Sequence, residues 1–171
     1  MSGVATLTRE YVREVVGTGV KVLDTRKTTP NLRIFEKYAV TQGGGTNHRM
    51  RLDDGILIKD NHISICKGNI TDMVKSSKNR FPDMKVEVEC DTIEQVKECC
   101  EAGADIILLD NMDNETLREA VKIAKGKAIL EASGGVTLET IGDIAKTGVD
   151  CISVGALTHS ARNVDIGLDI L

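Results

Sequence analysis

Residues 104–133, ADIILLDNMDNETLREAVKIAKGKAILEAS, decide how this chain folds. Ile106 to Leu109 form an apolar run that is short for a buried helix and long enough for a strand. Asn114 follows as a helix cap, since its side-chain oxygen can accept from a first-turn N–H that has no partner inside the helix. Leu117, Ala120, Val121 and Ala124 then recur at helical spacing as one apolar stripe, which Gly126 stops. A second apolar run, Ala128 to Leu130, comes next. Strand, one-sided helix, strand is the pattern of a βαβ unit, in which the helix carries the chain back so that the two strands run parallel.

The same alternation extends in both directions. Further apolar runs stand at Val20–Leu23, Gly55–Ile58, Val86–Val88 and Cys151–Val154. Thr92 with Gln95 makes a capping box ahead of a face of Ile93, Val96 and Cys100. Thr137 opens a helix with Leu138, Ile141, Ile144 and Ala145 inward, closed by Gly148, and a first helix is expected over Leu7 to Val16. Six strands suit a β/α barrel, yet a full eightfold barrel needs about 250 residues and this chain has 171. The expected fold class is therefore α/β: one domain, 1–171, built as an incomplete, open, TIM-like β/α barrel with parallel strands. The tail VDIGLDIL, 164–171, alternates apolar and polar residues and is expected to be a last strand.

Composition narrows the function. The chain is 41% hydrophobic and 28% charged, as soluble globular proteins are. No apolar run approaches the ~20 residues of a membrane helix, so no membrane partner is expected. Five cysteines without a CxxC pair, and no signal-peptide pattern, point to reduced thiols and a cytoplasmic location. Two Phe, two Tyr and no Trp leave no stacking platform for single-stranded nucleic acid. The net charge is −4, yet residues 21–59 carry eight Lys and Arg against four acids. A basic segment on an acidic body suits a local anion site.

In parallel α/β folds the loops leaving the strands converge on one face, and chemistry collects there. Three constellations fall on that rim. The first is cationic: Arg26, Lys27, His48, Arg49 and Lys59 would suit a small polyanion such as a dicarboxylate or pyrophosphate, although each alone could be a solvated surface charge. Gly43, Gly44 and Gly45, just before His48 and Arg49, suit a loop whose backbone closely approaches something. The second is acidic: Glu89 and Asp110 could bind Mg²⁺ or accept hydrogen bonds from sugar hydroxyls, and a general-base role is an alternative. Glu87 is expected outside the barrel interior, capping a helix or in a salt bridge. The third comprises Ser133, Gly134 and Gly135, with Gly155 and Ala156, small residues ahead of helix N-termini where backbone N–H groups favour a phosphate; Ser-Gly-Gly also occurs as a plain turn. His62 sits on the rim as either a site contact or a structural hydrogen bond, and His159 is expected as a surface residue. Cys90, Cys99, Cys100 and Cys151 read as structural.

These residues resemble the C-terminal catalytic domain of the quinolinate phosphoribosyltransferases, or carboxylating nicotinate-nucleotide pyrophosphorylases. The likeness is carried by SGVATLTREYV, by DTRKTTPNLRIFEKYAVTQGGGTNHRMRLDDGILIKDNH, and by VEVEC, EAGADIILLDNM, EASGGV and ISVGALTHSA, in order over essentially the whole chain. The resemblance implies that quinolinate and phosphoribosyl pyrophosphate, with Mg²⁺ as cofactor, give nicotinate mononucleotide, pyrophosphate and CO₂ in NAD biosynthesis. It assigns Arg26, His48, Arg49 and Lys59 to quinolinate, with Lys27 at the edge or near pyrophosphate. It gives Glu89 and Asp110 to the ribose hydroxyls and the metal-linked diphosphate, and Ser133, Gly134, Gly135, Gly155 and Ala156 to the 5′-phosphate. Lys27, Lys59, Glu89 and Asp110 are the catalytic candidates. The family carries an N-terminal domain that completes a neighbouring subunit's site, so a homodimer or larger homo-oligomer is implied, and that domain is expected to be absent from this chain. The alternatives are an inactive phosphate-binding barrel or a ModD-like relative with another substrate.

Overall fold

The computed structural model describes residues 1–67 and 69–170. Six apolar runs become six strands: β1 (Lys21–Leu23), β2 (Ile56–Ile58), β3 (Val86–Cys90), β4 (Ile106–Asp110), β5 (Ile129–Ser133) and β6 (Cys151–Ser153). Helix α1 (Ser2–Glu14) precedes β1, and α2 (Arg33–Gln42) links β1 to β2. Helices α3 (Asp60–Ile65) and α4 (Ile70–Arg80) link β2 to β3. Then α5 (Ile93–Ala102), α6 (Asn114–Ala124) and α7 (Leu138–Ala145) each join successive strands, and α8 (Ala156–His159) follows β6. Every strand pairing is parallel, in the order β1-β6-β5-β4-β3-β2. β1 and β2 are thus the two edges of an open sheet. Beside β1, Leu23 bridges Thr46 in the parallel sense, so the segment after α2 takes up part of the gap. One cavity touches all six strands or the loops leaving them, which requires the sheet to curl around it.

The two faces of the sheet differ in chemistry. Val86, Val88, Cys90, Ile107, Leu109, Leu130 and Ile152 point to the helices and are buried with the apolar faces of α4 to α7. The opposite face of the same strands carries Glu87, Glu89, Glu131 and Ser153, all buried, beside Leu57, Leu108 and Cys151, so polar and charged groups stand among apolar ones in the space enclosed by the sheet. Here the expectation for Glu87 is corrected. Strand period two puts residues 87 and 89 on one face, and Glu87 lies inside the sheet's curve, 4% exposed, instead of capping or bridging outside.

Local signals set most helix boundaries. Thr92 accepts from Gln95 N in the capping box that opens α5. Thr137 caps α7, while α6 is capped one residue earlier than expected, by Asp113, whose carboxylate accepts from Thr116 N at 2.8 Å. Helix α1 begins at Ser2, well before Leu7, and buries Val4, Thr8 and Tyr11. The tail is not a strand: residues 160–170 have no regular structure, and Val164, Ile166, Leu168 and Ile170 are exposed. Alternation prepares a segment for a sheet, but a strand also needs a neighbour to take its backbone hydrogen bonds.

The glycines before His48 do approach something closely, and it is a helix. A Cβ at Gly43 would stand 2.5 Å from Ala5 O, and one at Gly45 would stand 2.8 Å from the Thr8 and Val40 side chains. These glycines let the loop press against α1 and α2, which fixes where residues 46–49 emerge.

Candidate active site

A cavity of about 690 Å³ opens at the C-terminal ends of the strands. Arg26, Lys27, His48, Arg49, Lys59, Glu89, Asp110, Ser133, Gly134, Gly135, Gly155 and Ala156, the residues singled out from sequence, all line it. The curl of the sheet is what brings residues 130 positions apart to one surface.

The cationic wall is held from behind by buried groups. Asp24, at the end of β1, accepts from His48 N at 2.9 Å and pairs with Lys37 of α2, with both side chains fully buried. Lys37 also donates to His48 O at 2.9 Å. Arg33 ties the next turn down, donating to Thr28 Oγ1 at 3.0 Å, Arg26 O at 3.2 Å and Met50 O at 3.3 Å. On this support Arg49 donates to Gly55 O at 3.1 Å, and its pKa is drawn below the ordinary value by burial and by the charge of Arg26. The two guanidinium groups thus concentrate positive charge on this wall. The Nε of Arg26 is buried with no hydrogen-bond partner.

His48 lines the cavity, and its ring reaches down to buried neighbours. Its Nδ1 accepts from Arg49 N at 2.7 Å, and its Nε2 lies 3.4 Å from both Glu87 and Glu131. Burial would drive the imidazole's pKa down, but the two carboxylates overcome it and raise it to about 10. While Nδ1 accepts from Arg49 N it carries no proton, so the ring's proton sits on Nε2, facing the two carboxylates, and full protonation would have to break the Arg49 contact. Among the described residues these three side chains also form the group whose metal-type donor atoms fall within 4.8 Å of one another. Glu131 escaped selection from sequence although it stands on the same strand face as Ser133, two residues on.

On the acidic side Lys59 donates to Glu89 Oε2 at 2.6 Å. Asp110 leaves the next strand, its pKa raised first by burial and then by the charge of Glu89. Two neighbouring carboxylates at the cavity wall, one already pressed toward protonation by the other, are relieved by a cation, so the pair fits Mg²⁺. His62 is structural: its Nδ1 accepts from Lys59 N at 2.9 Å and caps α3.

The small-residue wall is tightly built. Gly134 has φ +99°, and a Cβ there would meet Asn111 N at 2.9 Å, within the turn where Asn111 N donates to Ser133 O at 2.9 Å. Gly134→Ala is therefore expected to displace Asn111 and Ser133 together. It should weaken ribose 5-phosphate binding at least tenfold by calorimetry, at a folding cost of about 1–3 kcal/mol. Unchanged affinity would remove this wall from phosphate binding. Across the gap, Thr158 Oγ1 donates to Lys27 O at 2.6 Å and docks α8 against the cationic loop. His159, expected as a plain surface residue, lines the cavity, because α8 turns it back over Gly155.

The open end of this parallel α/β sheet thus gathers arginines, a carboxylate pair and glycine-rich turns around one cavity. Residues 4–169 match the family model described as quinolinate phosphoribosyl transferase, C-terminal domain, and the chain belongs to that family. It is 46% identical over 173 residues to the nicotinate-nucleotide pyrophosphorylase (carboxylating) of Mycobacterium leprae, covering 99% of this chain and 61% of that protein. With the chloroplastic enzyme of that name from Arabidopsis thaliana it shares 46% identity over 189 residues, 99% of this chain and 53% of the other. The crystal structure of nicotinate-nucleotide pyrophosphorylase from Ehrlichia chaffeensis superposes with a TM-score of 0.93 at 48% identity, covering 98% of this chain and 61% of that one. The chain thus spans about 60% of the length of the curated relatives it matches. No helix among the described residues is long and apolar enough to cross a membrane.

Proposed function

We propose that this chain transfers the phosphoribosyl group of phosphoribosyl pyrophosphate to quinolinate, with release of pyrophosphate and CO₂. The gathering of Arg26, Lys27, Arg49 and Lys59 on one cavity wall, with Arg26 near enough to depress the Arg49 pKa, carries the reading. Positive charges held together on a partly buried wall favour an anion that can accept their hydrogen bonds. Quinolinate brings two carboxylates on adjacent ring carbons. Arg26 and Arg49 suit them by their forked donors, with Lys27 and Lys59 adding charge at the edge.

The phosphoribosyl substrate would lie along the other walls. Ser133, Gly134 and Gly135, ahead of α7, offer backbone N–H groups to the 5′-phosphate, together with Gly155 and Ala156 ahead of α8. Glu89 and Asp110 accept from ribose hydroxyls and orient the sugar so that C1 faces the pyridine nitrogen. Those two carboxylates would also hold Mg²⁺, which supplies charge to a leaving diphosphate. The nitrogen attacks C1 as the C1–O bond to pyrophosphate breaks. Positioning by both walls converts this into a reaction between held partners. The quaternised ring then takes up the electrons of the adjacent C–CO₂ bond, and the ring carbon gains a proton. Lys59, already bound to Glu89, links the acid-binding wall to the sugar-binding wall. Free thiols throughout fit work in a reducing cytoplasm.

The test is release of labelled CO₂ from carboxyl-labelled quinolinate. The chain is assayed alone and joined to the portion of its relatives that it does not span. Release that requires both phosphoribosyl pyrophosphate and Mg²⁺ is expected. No release in either form, or release indifferent to phosphoribosyl pyrophosphate, overturns the reading.

A further inference from the structure

Beneath the cationic wall lie two carboxylates for which the proposed reaction has no use. Glu87 and Glu131 are 4% and 1% exposed, and the Oε1 of each is buried without a hydrogen-bond partner. Such an arrangement lowers stability, because each carboxylate has left water without full compensation. What they face is His48, whose two nitrogens are both engaged inside the protein: Nε2 toward the glutamates, Nδ1 with the N–H of Arg49. The ring is therefore a strut between the carboxylates and the Arg49 backbone, set in the cavity wall.

We propose that Glu87 and Glu131 are positioning residues that grip His48 from inside the barrel and so aim Arg49 at the acidic substrate. The inference rests on reading the cavity as a quinolinate pocket. The surroundings of the ring support it. From β1 and α2, Asp24 takes the His48 N–H and Lys37 the His48 carbonyl, so the backbone is pinned on one side and the ring on the other. From β6, Cys151 Sγ lies 3.9 Å from Glu131 Oε2, and Arg49 and Arg26 supply the positive charge above. A residue clamped at backbone and ring passes little freedom to its neighbour, and a guanidinium displaced by about 1 Å loses a forked bond. The raised imidazole pKa agrees with a grip by two carboxylates.

Glu131→Gln and, separately, Glu87→Gln test this in the present chain. Each keeps the size of the side chain and removes one poorly compensated charge. If the pair merely held the fold together, the variants would lose stability and bind both substrates more weakly. Positioning predicts a different pattern. The urea midpoint stays equal or rises, quinolinate affinity by calorimetry falls at least tenfold, and ribose 5-phosphate affinity is unchanged. Nitrogen-15 NMR of the His48 ring should show its titration moving down from about 10 toward the ordinary histidine range, and Glu131→Asp should recover part of the affinity. Unchanged His48 titration in both variants overturns the grip, whatever the substrate. A shifted titration with unchanged quinolinate affinity overturns the aiming of Arg49. Stoichiometric metal in the wild-type chain, lost in Glu131→Gln, would make the cluster a metal site and also overturn the proposal. A wild-type chain that binds no quinolinate, yet shows the shifted titration in the variants, sinks the substrate reading and leaves the grip standing.

Discussion

Lys37→Met is expected to cost about 3–5 kcal/mol of folding stability, a large share of the 5–15 kcal/mol typical of a domain. Lys37 and Asp24 are both fully buried, and the methionine would take away the ammonium that contacts the Asp24 carboxylate, leaving it the His48 N–H, the Asn47 amide and the weaker pull of the His48 ring. Burial already pushes the Asp24 pKa up, against the pull of Lys37 and of the His48 N–H. Because that folded pKa is raised, ionised Asp24 costs stability as pH rises through it. The pair is therefore not there to add stability; its removal one charge at a time is what is costly. The double variant Asp24→Leu/Lys37→Met should recover most of the loss, since no buried charge remains. It should not recover substrate binding, because His48 N and His48 O would both lose their partners. Urea denaturation of the two variants and the wild type measures this. A single variant within about 1 kcal/mol of wild type would mean that the pair is hydrated in solution.

Arg26→Ala should lower quinolinate affinity by roughly 2–5 kcal/mol, from about thirtyfold to several thousandfold. The size follows from losing a charged, forked donor on a wall shared with Arg49, where truncation leaves the bound carboxylate short of a partner. Arg26→Lys should recover only a fraction, because an ammonium cannot present two parallel donors. Ribose 5-phosphate should bind nearly as before, since the Ser133–Gly135 wall stands across the cavity. Calorimetry with each ligand separates the two walls. Equal losses for both ligands would mean that Arg26 shapes the whole cavity and does not select the acid.

Legibility differed between elements for physical reasons. The strands were legible because an apolar run between turn signals reports its own burial, and β1 to β6 fall where the runs lie. Capping chemistry is equally local, which is why Thr92 and Thr137 could be named, while Asp113 and Asn114 compete as adjacent caps. Glu87 could have been placed by period two alone, since it shares its face with Glu89. The partner of Lys37 could not: nothing near residue 37 states that α2 will fold its ammonium under the end of β1. The glycines before His48 signalled a close approach without saying to what, because the surface they meet belongs to α1, over thirty residues earlier.

The sequence by itself determined the alternation of strands and helices, the parallel sheet, and the set of cations, carboxylates and glycines that leave the strand ends. These follow from periodicity and from the convergence of loops at one end of such a sheet. The tertiary structure alone decided that buried carboxylates stand in the enclosed space and that His48 reaches Glu87 and Glu131 there. It also decided that the apolar tail at 164–170 remains without a sheet partner among the described residues. His48 meets both Glu87 and Glu131 only because the sheet curls, and no local pattern encodes what will stand on the other side of the curve.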